Sequence, residues 1–229
     1  MLNTACPRKH NGFSLVELMI AITVGLVIVT GVLTLFLSAV RSNSDNLRTT
    51  RLNQDLRSAM AVMVRDIRRA GAWARAADSV VTPAANPFTS TATTTDLTIN
   101  DLTANVTGNC ITYTYDNPPF PARPDPSNVD SGEYYGFKLN SSAVQMRTGG
   151  ASAGSHGCTA GSWESLTDPA TTTITALTFA RRETTVPLGG GGNRIIRDVT
   201  ITMTGTSASD ATVSRTLIEN VRIPNDRYN

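Results

Sequence analysis

The chain has 229 residues, enough for one folded domain and a long additional helix. Its formal net charge is +2, from 20 basic and 18 acidic residues. Arg8 and Lys9 account for that excess, so residues 13–229 are formally neutral with 18 charges of each sign. This balance disfavours a general binding surface for polyanions.

The first feature along the chain is an apolar run at residues 12–40, which follows a short basic segment. As a helix, residues 13–40 would measure about 42 Å, more than the hydrocarbon thickness of a bilayer. The run is too long for the apolar region of a cleaved secretory signal, and no small-residue cleavage site follows it. We therefore predict a leader at residues 1–12 and a retained transmembrane helix at residues 13–40.

Glu17 is the one charged residue in this run. An ionised side chain in hydrocarbon costs several kcal/mol, so it requires a partner. Cleavage between Gly12 and Phe13 would create an α-amino group about 6 Å from Glu17 along the helix axis. A neighbouring copy, displaced along that axis, could bring amine and carboxylate together. The pattern therefore predicts packing between subunits.

Gly12, Phe13, Ser14 and Glu17, placed before a long apolar run, resemble the class III signal of type IV pilins and pseudopilins. In that family a membrane-embedded prepilin peptidase cuts after the glycine and methylates the new amino terminus. The resemblance implies cleavage between Gly12 and Phe13, N-methylation of Phe13, and a role for Glu17 in docking into a growing filament. An ordinary single-pass anchor is the alternative, which the cost of an isolated charge disfavours.

The charges that flank the apolar run do not by themselves give the expected orientation. Two basic residues precede the run and four follow it, the reverse of the positive-inside pattern: Arg41, Arg48, Arg51 and Arg57 lie after it. The processing signal implies instead an inner-membrane protein of a Gram-negative bacterium. Its carboxy-terminal domain would lie in the periplasm and later in the pilus at the cell surface.

An amphipathic pattern follows the apolar run, and it predicts that the helix continues over residues 41–77. Gly71 offers an earlier stop. One face carries an apolar stripe, which we expect to pack on a sheet rather than to form a coiled coil. Its members are Leu52, Leu56, Met60, Met63, Ile67 and Ala70. The charged residues off the stripe predict a solvated face: Arg57, Arg65, Asp66, Arg68 and Arg69.

Residues 78–229 have the composition of strands joined by loops, so the predicted fold is α+β. We expect a long amino-terminal helix packed on an antiparallel, pilin-like β domain of undetermined strand order. Predicted strands are 97–99, 110–115, 134–139, 143–147, 174–181, 194–204 and 212–223, the last ending at Pro224. Predicted turns are 140–142 and 189–193, with loops at 117–130 and 149–162. Residues 66–71, 109–113 and 135–137 are similar to those of PilW-like minor pilins.

Three cysteines are present, but Cys6 lies in the predicted leader. The remaining pair, Cys110 and Cys158, predicts a disulfide in an exported domain. Closing that loop of about fifty residues would stabilise the fold by roughly 4 kcal/mol. A metal site formed by Cys110, His156 and Cys158 is the alternative, disfavoured because it offers only three ligands.

The sequence offers no recognisable catalytic set, so we expect neither an enzyme nor a cofactor or metal. His156 is the one histidine beyond the leader, no acidic residue lies within seven positions of it, and we expect it at the surface. Residues 189–192 are all glycine but lack the lysine and hydroxyl residue of a phosphate-binding loop.

Direct DNA binding is also disfavoured, although six arginines fall in or near the last predicted strands. Acidic residues alternate with them and no aromatic series accompanies them. The arginines are Arg181, Arg182, Arg194, Arg197, Arg215 and Arg222.

The resemblance therefore implies a minor pilin that primes or caps type IV pilus assembly, with twitching motility or adhesion as downstream roles. Implied partners are the prepilin peptidase, other minor pilins, the major pilin, the inner-membrane assembly platform and, before assembly, membrane lipid. One alternative is a minor pseudopilin of a type II secretion system, and another is a DNA-capturing or adhesive tip subunit.

Overall fold

The computed structural model describes residues 12–75, 86–89, 96–102, 106–117, 128–152 and 154–228. The chain divides into two compact units, residues 1–47 and residues 48–229. The leader before Gly12, the predicted boundary at residues 77 and 78, and most of the proline-rich loop at 117–130 lie outside the described residues.

A single helix, α1, runs from Leu15–Ile67 over 53 residues. It begins where the backbone N–H of Leu18 donates to the carbonyl of Ser14 at 3.1 Å. It ends in turns that close at Gly71, whose positive φ of 73° suits glycine and whose N–H donates to the carbonyl of Thr114. The predicted continuous helix is confirmed, but it ends ten residues before residue 77.

The second unit contains two antiparallel sheets and a short 3-10 helix, Pro87–Thr89. The five-stranded sheet has the order β1 (Thr98–Ile99), β3 (Cys110–Thr114), β4 (Tyr134–Asn140), β5 (Ala143–Gly149) and β6 (Ser162–Ser165). The four-stranded sheet has the order β2 (Thr107–Gly108), β7 (Thr172–Pro187), β8 (Asn193–Ser207) and β9 (Asp210–Tyr228). The predicted α+β class is confirmed.

The predicted apolar stripe on α1 is buried along its whole length, and every member is at most 4% exposed. These side chains share one core with the buried faces of both sheets. Gly205 of β8 permits the close approach, because a Cβ there would lie 2.9 Å from Cδ2 of Leu56. Burying each large stripe residue contributes roughly 1.5–3 kcal/mol, so the stripe fixes α1 on the domain.

Both predicted hairpins are present. β4 and β5 join at Ser141 and Ser142, both with positive φ, and β7 pairs with β8 from Thr172 opposite Ser207 to Pro187 opposite Asn193. β9, however, does not end at Pro224 but continues to Tyr228. Pro224 falls in an irregular stretch of the strand that ends this sheet, where its missing N–H costs no ladder hydrogen bond.

Three features of the β domain were not predicted. The short strands β2 and β6 have too few residues to show alternation, and β6 begins at the end of the segment expected to be a loop. The third is Arg197, which lies in the buried row of β8 with 0% exposure. Alternate residues of β8 are buried, among them Ile195, Val199 and Ile201, and no local pattern shows that an arginine shares their face.

Candidate processing and assembly site

The predicted cleavage point lies in irregular backbone directly before α1. Residues 12–14 precede the first helical residue and all three are exposed, with Phe13 84% accessible. A Cβ on Gly12 would meet no heavy atom within 4 Å. Gly12 and Phe13 are thus accessible and lie outside regular secondary structure, which suits access by a protease.

The amino-terminal part of α1 presents an unusually apolar surface. α1 is the one helix among the described residues that is long and apolar enough to cross a membrane, and its most apolar window is wholly unburied. The exposed side chains include Leu18, Ile22, Leu26, Leu33 and Phe36. An exposed apolar surface of this size marks an interaction site and is consistent with a membrane anchor.

Three threonines in this apolar segment satisfy their hydroxyl groups within the helix. Thr23, Thr30 and Thr34 donate to the carbonyls of Ile20, Leu26 and Gly31 at 2.8–2.9 Å. Because these hydroxyls have partners within α1, they add little to the cost of placing the helix in hydrocarbon. Glu17 is different, since it is exposed in the first turn and is the only acidic residue there.

Comparison with known protein families agrees with this arrangement. The model of the prokaryotic N-terminal methylation motif matches residues 7–33, which contain the predicted cleavage point and Glu17. The model of prepilin peptidase-dependent protein B matches residues 45–223, most of the chain. The chain belongs to the prepilin peptidase-dependent protein B family. No curated protein and no solved structure matches it.

Family membership establishes a pilin-like protein of the kind processed by prepilin peptidase, with an apolar helix consistent with membrane anchoring. It does not assign the residues of the processing site individually. Cleavage after Gly12, methylation of Phe13 and the docking role of Glu17 therefore stay predictions.

The β domain of this family member contains the disulfide between Cys110 and Cys158, whose Cα atoms lie 6.2 Å apart. The bond links β3 to the loop between β5 and β6. Two further contacts hold that loop, since Asp101 accepts from the backbone N–H of Cys158 at 2.8 Å and Lys138 donates to the Cys158 carbonyl at 3.2 Å. With both sulfurs in the disulfide, neither can serve as the thiolate ligand of the alternative metal site.

His156 is half-buried in the loop between β5 and β6. Its ring stacks on Tyr134 with centroids 5.3 Å apart, and its Nδ1 lies 3.1 Å from the carbonyl oxygen of Ser152. No group of three or more histidine, cysteine or acidic side chains that could hold a metal occurs among the described residues. These contacts give the histidine a packing role in the loop.

Asp66 and Arg69 do not belong to a purely solvated face, which corrects the prediction for the end of α1. Tyr113 and Tyr115 donate their hydroxyls to Asp66 at 2.6 and 2.9 Å, and the Arg69 guanidinium lies 3.9 Å from the Tyr115 ring centroid. Burial, followed by the nearby Asp66 carboxylate, raises the pKa of Tyr113 and of Tyr115. Tyr113 and Tyr115 are separated by one residue in a predicted strand and so lie on the same face. This spacing was the sequence signal that the two hydroxyls could share one hydrogen-bond acceptor.

Asp96 is the centre of a second polar cluster that sequence reasoning missed. It is 1% exposed and pairs with Arg181, Arg197 and Arg227. Arg181 also donates to Glu183 and to the carbonyl of Leu97. Burial lowers the pKa of Arg181 and of Arg197, so the adjacent carboxylate is needed to hold both cations in the interior.

This cluster changes the interpretation of the arginines near the last strands. The Arg181 and Arg197 side chains are inaccessible, while Arg194 and Arg222 both pair with Asp226. Four of the six arginines are therefore occupied by carboxylates within the domain. These four arginines hold strands together within the domain.

Proposed function

We propose that this protein is a minor pilin, a membrane-anchored subunit that starts or caps a type IV pilus. The observation that carries the proposal is the long helix α1, which exposes an apolar surface directly after a prepilin signal and bears one carboxylate, Glu17. The minor status comes from the resemblance to PilW-like subunits and not from the physical properties of the helix.

In this proposal the anchor first lies in the lipid of the inner membrane, where the prepilin peptidase cleaves after Gly12 and methylates Phe13. Helices of other minor pilins and of the major pilin then replace lipid around the apolar surface. Methylation leaves the new terminal amine cationic. Its attraction to Glu17 of a neighbouring subunit would set the axial displacement between helices, because an unpaired carboxylate in an apolar surrounding is costly.

We also propose a structural rather than a catalytic role for the β domain. Two of its acidic groups illustrate this role, since Asp66 accepts from two tyrosines and Asp96 pairs with three arginines of the same domain. The domain would supply lateral contacts to neighbouring subunits and to the inner-membrane assembly platform.

Substitution of Glu17 tests the docking role. Glu17→Ala and the isosteric Glu17→Gln should leave membrane insertion and cleavage unchanged. Both should reduce the amount of the protein in sheared filaments about tenfold. This factor corresponds to a loss of about 1.4 kcal/mol in the free energy of docking. Immunoblots of membrane and sheared fractions measure this, with Thr23→Ala as a control on the same helix that keeps the charge and lies outside the processing signal.

Filament incorporation of Glu17→Gln at the wild-type level would contradict the docking role. The same cells distinguish the pilus from a secretion apparatus. Cross-linking to major pilin supports a pilus subunit, whereas cross-linking only to components of a type II secretion system would replace the proposal with the pseudopilin alternative.

A further inference from the structure

The open edge of the four-stranded sheet is the feature of the β domain that its internal packing leaves unexplained. β9 is 19 residues long, and among the described strands it pairs only with β8. Its other edge therefore presents a row of backbone N–H and C=O groups without a partner strand in the described part of the chain.

Natural proteins protect such edges with prolines, bulges or several charges. β9 has these devices at both ends, where residues 211–213 fall in a register shift and Pro224 lies in the irregular stretch between Ile223 and Arg227. Residues 214–221 pair regularly with β8, contain no proline and have only two charged residues, Arg215 and Glu219. Ile218 is 65% exposed on this stretch. An edge of eight residues is thus left open to pairing.

A groove runs beside this edge, between β9 and α1. It has a volume of about 360 Å³ and is lined by Arg57, Met60, Ala61, Val64, Leu217 and Glu219. Val64 and Leu217 are only partly buried although they pack against the core. The two charged residues have opposite signs, so the groove has no net charge and suits apolar side chains.

The edge and the groove together specify the shape of the occupant. A strand added to β9 would continue the sheet and direct every second side chain towards α1, into the groove. A helix could fill the groove, but its backbone groups are already paired, so it could not satisfy the edge. From Arg57 to Val64 the helix axis covers about 10 Å, the length of three strand residues.

We propose that residues 214–221 accept an extended segment of a different subunit as an additional strand, with apolar side chains inserted between β9 and α1. This rests on the assembly function proposed above. A symmetric antiparallel pair of two β9 strands does not fit, since it would reverse the direction of α1 in the second copy. Subunits anchored in one membrane by the same helix must share one direction.

Site-specific photocross-linking in piliated cells tests the proposal. The full-length chain carries p-benzoylphenylalanine at position 219 in the groove, or at position 22 on the apolar helix as a separate probe. The first probe is combined with Ala61→Trp, which fills the groove from an exposed position, or with Ser58→Trp, an exposed control on the same helix that does not line it.

We expect one adduct at position 219 with another subunit, mapped by mass spectrometry to an extended segment with alternating apolar residues. Ala61→Trp should reduce its yield at least fivefold, and Ser58→Trp should not. Unchanged yield with Ala61→Trp would overturn the proposal, as would an adduct within the same chain, with a partner's helix or with a second β9.

The position 22 probe separates the two proposals. Adducts at position 22 without any at position 219 would refute the added strand and leave the assembly function standing. Absence of adducts at both positions would refute the assembly function, and the added strand with it.

Discussion

Asp66 shows how one side chain joins α1 to the sheet that covers it. It accepts hydrogen bonds from Tyr113 and Tyr115, and the Tyr115 ring lies flat on Tyr135 at 3.8 Å between centroids. Tyr113 is 2% exposed, so the hydroxyl could not regain water if Asp66 were lost. The hydrogen bonds therefore determine the position of the helix end as well as its stability.

The raised tyrosine pKa values predict alkaline sensitivity. The folded state holds these protons more tightly than the unfolded state, whose tyrosines titrate near the ordinary value of 10.0. Stability is therefore fully present below about pH 10 and declines above it, by up to about 1.4 kcal/mol per pH unit for each tyrosine. Thermal unfolding of the full chain in detergent should show this decline, with a smaller slope in Tyr113→Phe. An equal slope in that variant would contradict the assignment.

Asp96 supports a prediction about buried charge. Asp96→Asn should destabilise the domain by about 3–5 kcal/mol, because buried Arg197 would lose its carboxylate partner and Arg181 would keep only Glu183. Asp226→Asn is the matched control. It also removes a carboxylate from two arginines, but the Arg194 and Arg222 side chains are 45% and 41% exposed and can hydrate. Equal losses in denaturant unfolding would show that burial does not decide the cost.

At the scale of elements, the contact between α1 and β8 depends on a pair of residues of complementary size. Leu56 is completely buried, and Gly205 provides the space for its side chain. Any larger residue at position 205 must move Leu56 or the strand, so the helix and the four-stranded sheet can approach this closely only with glycine there.

A double-mutant cycle measures this contact. Leu56→Ala should cost about 2–5 kcal/mol and Gly205→Ala about 1–3 kcal/mol in unfolding free energy. Combined, they should cost less than the sum by at least about 0.5 kcal/mol, since removing the Leu56 side chain makes room for the new methyl group. The full chain in detergent serves for all variants. If the cost of the double mutant equalled the sum of the two single costs, the side chain of Leu56 and the residue at position 205 would be energetically independent, which would contradict this contact.

For the whole molecule, the sequence was most informative where a period or a fixed motif is long. The apolar run, the stripe from Leu52 to Ala70, and the glycine-rich turn at 189–193 between two predicted strands predicted the helix, its buried face and the long hairpin. Short strands such as β2 contain too few residues for any period. The order of the strands depends on contacts between distant segments, which no local pattern records.

The polar clusters were missed for a related reason. Asp66 and Arg197 are charged residues whose burial follows from partners 47 or more positions away, Tyr113 and Asp96. A local sequence pattern predicts that a charged residue is exposed to solvent, so these buried charges could not be found in this way.

The processing site, in contrast, could be recognised from the sequence. Gly12, Phe13 and Glu17 lie within six consecutive residues, so the motif does not depend on contacts between distant segments.

In the proposed assembly mechanism, proteolysis frees the amine of Phe13 next to an apolar helix that carries Glu17. Mass spectrometry of the amino terminus of membrane-extracted protein tests it most directly, with Gly12→Val as the variant that should block cleavage. We predict that the wild-type protein begins at Phe13 with one added methyl group, and that the variant keeps the leader. A wild-type terminus upstream of Phe13, in cells whose other prepilins are processed, would contradict the account.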